Sequence, residues 1–412
     1  MKLSEELEFR GLINQTTLKN ITRLDSEKFI FYFGVDPSSD SMTIGNLASL
    51  MVVRLFLQAG HQGILLLGGA TGLIGDPDET KKRTALSREL IQSNVMSLEK
   101  QYLSILEGLD FEIVNNYDWF KGIGYLDFLR EVGTHIPLRT MLNRDFVIRR
   151  TDDPKIGLNY AEFSYSLVQG YDFYHLNKTR KVNLQLCGSD QWGNSVAGVD
   201  LVRRISNNEV EIFSTPLVID KKTGRKFGKS EEGAIWLSSR KTSVLKFYQF
   251  FINLDDQNIE YYLKIYTSLS VAEIKAILKA HNLDKSKRIA QKELAYQVTS
   301  LVHGNKNAQI SRELTHYLTG ESKIDNISET ELDKLHQEIP VISTSVINLQ
   351  EILLNSGLVK SKTEAQGLIN SGAIYLNNLR IPDNDSANIN LNRINIIRKG
   401  KAYKDSVIVI IK

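Results

Sequence analysis

Tyr165, Gln169 and Asp172 stand at i, i+4 and i+7 in the stretch Y-S-L-V-Q-G-Y-D. In a helix that spacing puts a phenol, an amide and a carboxylate on one face, a set able to grip a small zwitterion that carries a hydroxyl group. A second stretch, D-P-S-S-D-S-M-T-I-G-N from Asp36 to Asn46, ends an apolar run and opens a helical pattern. Such a turn aims unpaired backbone N–H groups at whatever lies above it, which suits phosphate. Gly45 permits close approach there, while Ser38, Thr43 and Asn46 add hydroxyl and amide donors.

Two further stretches belong with these. Lys221 to Ser230, K-K-T-G-R-K-F-G-K-S, gathers five basic residues around two glycines. Glycine loosens the backbone, and lysines act as point charges suited to a developing pyrophosphate. The spacing is not that of a Walker loop. In C-G-S-D-Q-W-G-N, Cys187 to Asn194, Gly188 would let a flat base or ribose lie on the backbone, and Asp190 could accept from ribose hydroxyls. Taken singly, each stretch also fits a capped helix, a polar outer face or an exposed basic turn.

The elements that must position these residues alternate. Apolar runs at Lys28–Val35, Ile64–Leu67, Phe111–Asn116 and near Val182 read as strands, with helical patterns at Ile44–Ala59 and Ser87–Leu109 between them. The expected fold is α/β, a doubly wound parallel sheet of the Rossmann-like, nucleotide-binding kind, with ligands beyond the C-terminal strand ends. After about Lys241 the pattern turns helical, and beyond Val346 two short helices precede strand-like A-I-Y-L and I-N-I-I-R. The expected division is 1–222 catalytic, 223–240 basic loop and linker, 241–320 helical, 321–345 acidic linker, and 346–412 a small α+β module.

Composition narrows the classes. With 412 residues, 42% hydrophobic and 24% charged, the chain reads as a soluble globular protein of two or three domains. Its one cysteine, Cys187, rules out an internal disulfide framework, and the seven histidines show no metal-binding spacing, so no zinc site is expected. No apolar run is long enough to cross a bilayer, and the N-terminal residues do not form a signal sequence, so a cytoplasmic location is expected. The formal charge of +3 divides unevenly: from Val346 onward the net is +4 and elsewhere −1, with an acidic stretch Glu321–Glu338 ahead of the basic module. A polyanionic partner, nucleic acid among them, suits that module.

The order of the pieces is more specific than any one of them. Y-F-G-V-D-P-S-S-D-S, G-G-A-T-G-L-I-G-D-P, N-N-Y-D-W, E-F-S-Y, Q-G-Y-D-F, G-S-D-Q-W-G-N, K-F-G-K-S, T-S-V-L-K-F-Y-Q-F-F-I-N and L-V-H-G run from Tyr32 to Gly304. In this order they resemble the class I aminoacyl-tRNA synthetases, specifically the bacterial-type tyrosyl-tRNA synthetase family. K-F-G-K-S then corresponds to the K-M-S-K-S signature and T-I-G-N to H-I-G-H. The resemblance implies that Lys226, Lys229 and Ser230 act on the triphosphate of ATP. It puts Ser38, Thr43, Gly45 and Asn46 near phosphates and ribose, with Asp36, Gly188, Asp190 and Gln191 close by. Tyr32 and Asp172 match the pair that binds the substrate phenol. Asp76, Tyr165 and Gln169 match those that hold its ammonium group, with Asn116 and Gln185 lining the same pocket.

Activation of L-tyrosine by ATP and transfer to tRNA(Tyr) are implied, with Mg2+ accompanying ATP and no protein-held metal. The tail from Asn348 resembles an S4-type RNA-binding domain, in which Lys360, Lys362, Arg380, Arg398, Lys399 and Lys401 would contact phosphates. A homodimer is implied as well. The departure is Thr43, where the family's first signature histidine stands. Two rivals therefore accompany the tyrosyl reading: the sister enzyme for tryptophan, and a synthetase-derived RNA-binding protein without catalysis.

Overall fold

The computed structural model describes residues 1–77, 86–143, 145–152, 157–220, 224, 226–230, 233–381, 391–400 and 405–412, with the backbone alone at 140, 145, 146, 152, 229 and 230. Two compact units result, Met1–Thr242 with Asp255–Ala290, and Ser243–Leu254 with Gln291–Lys412.

The first unit holds a six-stranded sheet. Its strands are β1 (Gln15–Thr16), β2 (Ile30–Val35), β3 (Gln62–Leu67), β4 (Phe111–Asn115), β5 (Leu184–Gly188) and β6 (Glu211–Thr215), in spatial order β1-β6-β5-β2-β3-β4. All neighbours are parallel except β1, which runs antiparallel to β6 at one edge. Two-residue β1 has no periodic signature, and the sequence reading missed it. The order turns at β2, which has β3 on one side and β5 on the other. A crevice therefore opens beyond the C-terminal end of β2. Register puts Tyr32 beside Gln185 across the β2–β5 pair.

Helices hold the flanks. α1 (Ile44–Gln58) follows β2 and buries Ile44, Leu47, Leu50, Met51 and Phe56 against the sheet. α2 (Arg88–Ile105) lies between β3 and β4. α3 (Tyr160–Arg180) carries the face with Tyr165, Gln169 and Asp172. Its start is fixed by Asn159, which accepts from the Glu162 N–H, and by a buried Arg150–Glu162 ion pair at 2.9 Å. α4 (Trp192–Ser206) leaves β5 through the G-S-D-Q turn. A hairpin of β7 (Lys229–Ser230) and β8 (Gly233–Ala234) carries part of the basic loop, and α5 (Ile259–Tyr266) also belongs to this unit.

The second unit combines helices with a five-stranded sheet. Its strands are β9 (Val341–Thr344), β10 (Ile374–Leu376), β11 (Leu379–Arg380), β12 (Ile394–Lys399) and β13 (Ser406–Ile411), in order β11-β10-β12-β13-β9. Asn377 and Asn378, both with positive φ, make the tight β10–β11 turn, a conformation asparagine tolerates better than other non-glycine residues. The acidic stretch 321–345, expected as a linker, is folded. It contains helix α6 (Glu329–His336) and strand β9, which pairs in parallel with β13. Leu335 and Ile339 turn inward between its acids. One face of the sheet packs on Leu349, Ile352, Leu353 and Ile369. The other contributes Ile396 and Ile408 to a core with Leu314, Leu318 and Leu335.

Candidate active site

The crevice beyond β2 encloses about 380 Å³. Its wall includes Tyr32, Asp36, Thr43, Gly45, Asn46, Thr71, Asp76, Tyr165, Gln169, Asp172, Gln185, Gly188, Asp190, Gln191 and Lys226. β2 supplies Tyr32 from its middle and Asp36 just past its end, β5 supplies Gln185 and Gly188, and one face of α3 supplies Tyr165, Gln169 and Asp172.

At the closed end stands Asp172, 2% exposed. Trp119 Nε1 donates to its Oδ1 at 2.9 Å, and Asn116 Nδ2 donates to its Oδ2 at 3.1 Å. Burial pushes the carboxyl up to about 8 despite these two donors. The Tyr32 ring is held by Phe173, with centroids 5.1 Å apart, and burial beside Asp172 raises its phenol well above the ordinary value. Asn116 is fully buried and does not reach the crevice wall, contrary to its expected lining role. It acts from behind: the Ala70 N–H donates to Asn116 Oδ1, which fixes the amide orientation and turns Nδ2 towards Asp172 and Thr71.

Thr71 was not among the residues singled out from the sequence, although G-G-A-T-G was quoted. Its hydroxyl donates to Asp36 Oδ1 at 2.6 Å and accepts from Asn116 Nδ2 at 3.1 Å. Tyr165 donates to Asp36 Oδ2 at 2.9 Å. Burial, then the charges of Asp36 and Asp76, raise the Tyr165 phenol well above its ordinary value. Hydrogen bonds thus run from Asp36 through Thr71 and Asn116 to Asp172. Gly68 is required beside this chain, since a Cβ there would collide with the Asp36 carboxylate and the Thr71 hydroxyl. Trp119 was the other omission; its indole N–H needed a buried partner, which N-N-Y-D-W alone could have suggested.

Three buried polar atoms on this wall have no hydrogen-bond partner among the described residues: Tyr32 OH, Gln169 Oε1 and Gln185 Oε1. A buried group left unpaired costs ~1–3 kcal/mol. Three beside one crevice mark a place shaped for a polar guest. One phenol and two amide oxygens suit a hydroxyl and an ammonium group.

The open end is built differently. Gln191 Nε2 donates to Asp76 Oδ2 at 2.7 Å, with Asn194 alongside, donating to Gln191 Oε1 at 3.1 Å. Lys226 Nζ pairs with Asp190 Oδ2 at 3.1 Å, both exposed. Thr43 N–H and Oγ1 both donate to Asn46 Oδ1, at 3.0 and 2.9 Å. The hydroxyl in the histidine's place is thus committed to its helical neighbour, and Asn46 can offer only its N–H₂ to the crevice. Ser38 is exposed and off the crevice wall. The side chains of Lys229 and Ser230 lie outside the described residues.

In the second unit the expected RNA contacts divide. Lys360 is exposed. Lys362 pairs with Glu351 at 3.3 Å and Lys399 with Glu364 at 3.0 Å. Arg380 donates to the carbonyls of Gly372 and Ser371, and Arg398, 9% exposed, lies 5.0 Å over the Tyr375 ring. Arg398 is buried in the module and is not the open phosphate contact that was expected, whereas Arg380 braces the backbone and stays exposed. Lys401 lies outside the described residues.

The turned parallel sheet and the crevice at its strand ends have the architecture of the class I tRNA synthetases. Residues 24–317 match the family described as tRNA synthetases class I (W and Y), and residues 331–404 match the tyrosine--tRNA ligase SYY-like C-terminal domain. The tyrosine--tRNA ligase of Streptococcus equi subsp. equi is 39% identical over 418 residues, 97% of this chain and 98% of its own. Tyrosine--tRNA ligase 1 of Pseudoalteromonas translucida is 40% identical over 390 residues, covering 93% and 92%. A C-terminally truncated mitochondrial tyrosyl-tRNA synthetase of Aspergillus nidulans superposes with a TM-score of 0.69 at 32% identity, over 77% of this chain and 94% of its own. The chain belongs to the tyrosine--tRNA ligase family of class I synthetases.

Proposed function

We propose that this crevice makes tyrosyl-adenylate and then tyrosyl-tRNA, and that the orphaned Tyr32, Gln169 and Gln185 atoms beside Asp172 carry the choice of amino acid. The tyrosine phenol donates to Asp172 and meets the Tyr32 hydroxyl; Asp76, Tyr165 and Gln169 hold the ammonium group. Phenylalanine would leave the Tyr32 hydroxyl buried without a partner, ~1–3 kcal/mol, and would offer Asp172 no donor beyond Asn116 and Trp119.

ATP lies over the open end, its ribose towards Gly188, Asp190 and Gln191 and its phosphates towards Thr43, Gly45, Asn46 and the K-F-G-K-S lysines. A tyrosine carboxylate oxygen attacks the α-phosphorus, an O–P bond forms, and the bond to the β-phosphate bridge breaks to release pyrophosphate. A terminal adenosine hydroxyl of tRNA(Tyr) then attacks the tyrosyl carbonyl; AMP leaves and the hydroxyl proton passes to solvent. No enzyme nucleophile is needed, and positioning with charge stabilisation supplies the rate. Magnesium enters with ATP. The second unit grips the tRNA through its exposed lysines, Lys360 foremost, in a cytoplasmic homodimer.

The deciding measurement is ATP–pyrophosphate exchange. Exchange driven by tyrosine and not by tryptophan or phenylalanine is expected. Exchange with tryptophan alone would transfer the chain to the sister specificity, and RNA binding without any exchange would make Thr43 the mark of a lost activity.

A further inference from the structure

The opening turn contains residues that the crevice does not use. Ser39, Asp40 and Ser41 precede Thr43, and all three face the stretch that follows the K-F-G-K-S hairpin. Lys241 Nζ reaches Asp40 Oδ1 at 2.5 Å and Ser39 Oγ at 2.8 Å, and lies 4.4 Å over the Trp236 ring. The backbone joins the same two segments: Ile44 N–H donates to Ile235 O at 3.1 Å, Leu237 N–H to Met42 O at 2.9 Å, and Ser238 N–H to Ser41 Oγ at 3.0 Å. Thr43 and Trp236 thereby form an antiparallel bridge. Gln101 of α2 braces the turn, donating to Ser41 Oγ and accepting from the Met42 N–H. Upstream, Phe227 stacks on Tyr262 of α5 at 4.3 Å, and Gly228, at φ +81°, sits where a Cβ would strike Ile44.

We propose that Asp40, Lys241 and Trp236 form a clamp that fixes the downstream arm of the hairpin to the start of α1 and so sets where the signature lysines stand over the crevice. These are positioning residues; none lies on the crevice wall. Three observations point the same way. The clamp ties both signatures through their flanks, its backbone bonds run into Thr43 and Ile44 themselves, and Asp40 is held below the usual carboxylate range by the Lys241 ammonium. This inference rests on the adenylate-forming reading above.

The test compares Asp40→Asn, Lys241→Met, Trp236→Phe and the exchanged pair Asp40→Lys with Lys241→Asp, in the full chain. An exposed ion pair alone contributes little, so the expected change is a rise of about three- to tenfold in the KM for ATP in pyrophosphate exchange for the first two variants. The dissociation constant for tyrosine, read by equilibrium titration, stays at the wild-type value. Trp236→Phe keeps the stack and stays near wild type, and the exchanged pair recovers part of the loss. An unchanged KM for ATP in both single variants overturns the clamp, as does a parallel loss of tyrosine binding and melting temperature. Wild-type protein that gives no exchange overturns the catalytic reading instead, so the two failures are separate.

Discussion

The two ends of the crevice use opposite physics. At the closed end Asp172 is nearly sealed, its two oxygens are met by Asn116 and Trp119, and those donors are themselves fixed by Ala70 and by packing. At the open end Lys226 and Asp190 pair in the open, and beside it Lys241 and Asp40 nearly so, with the hairpin held by short backbone bridges. Dry, prepaid hydrogen bonds discriminate strongly because a wrong guest leaves them broken. Exposed charges discriminate weakly but can follow a phosphate as it departs. On the proposed function, selection and activation are thereby separated by burial along one cleft.

The sharpest way to break this comparison is Asp172→Asn. We expect kcat/KM for tyrosine to fall by two orders of magnitude or more, because charged hydrogen bonds contribute ~1.5–3 kcal/mol and a disturbed buried network adds to the loss. KM for ATP should barely move, as steady-state exchange kinetics will show. Lys226→Ala should do the reverse: about 10²-fold slower exchange, in the range for one lost transition-state donor, with tyrosine affinity and melting temperature kept. A parallel loss of tyrosine binding would mean the two ends are not separate.

Acidity gives a milder handle. Because the folded Asp172 lies near 8, above its ordinary 3.8, its neutral form stabilises the ligand-free protein fully below about pH 4, and that contribution is lost as pH rises through 8. Tyrosine, which donates to the ionised form, should therefore bind about tenfold more tightly at pH 9 than at pH 7. Titrations in buffers of different ionisation enthalpy should show release of a proton on binding, and Asp172→Asn should abolish it. Thr71→Val is expected to cost about fivefold in tyrosine affinity, near ~1 kcal/mol for one hydrogen bond, and to blur the boundary between ends. The smallest effect is expected from Thr43→His, which should preserve or raise exchange, since imidazole reaches further into the crevice than a hydroxyl committed to Asn46.

What the sequence revealed follows the same division. Tyr165, Gln169 and Asp172 were legible because a helix converts spacing into a shared face, whereas Tyr32 and Gln185, inside β2 and β5, were reached only through the family resemblance. Thr71 and Trp119 were not, because their value lies in contacts with residues far along the chain, which periodicity does not encode. Arg398 misled for a related reason. A basic side chain in a basic module looks like a phosphate contact until its guanidinium is seen buried against an aromatic ring.

The pairing of β9 with β13 bears on how the C-terminal portion can be separated from the rest. Because Val341–Thr344 supplies the last strand of that sheet, and Ile396 and Ile408 roof over Leu314, Leu318 and Leu335, cutting at Val346 strands hydrophobic surface on both products. The shorter product would carry an unprotected β edge and invite self-association; the longer would display bare leucines. Inheritance of this tail as a detachable accessory would therefore demand that the break fall upstream of the helix carrying Leu314 and Leu318 as well as the acidic helix.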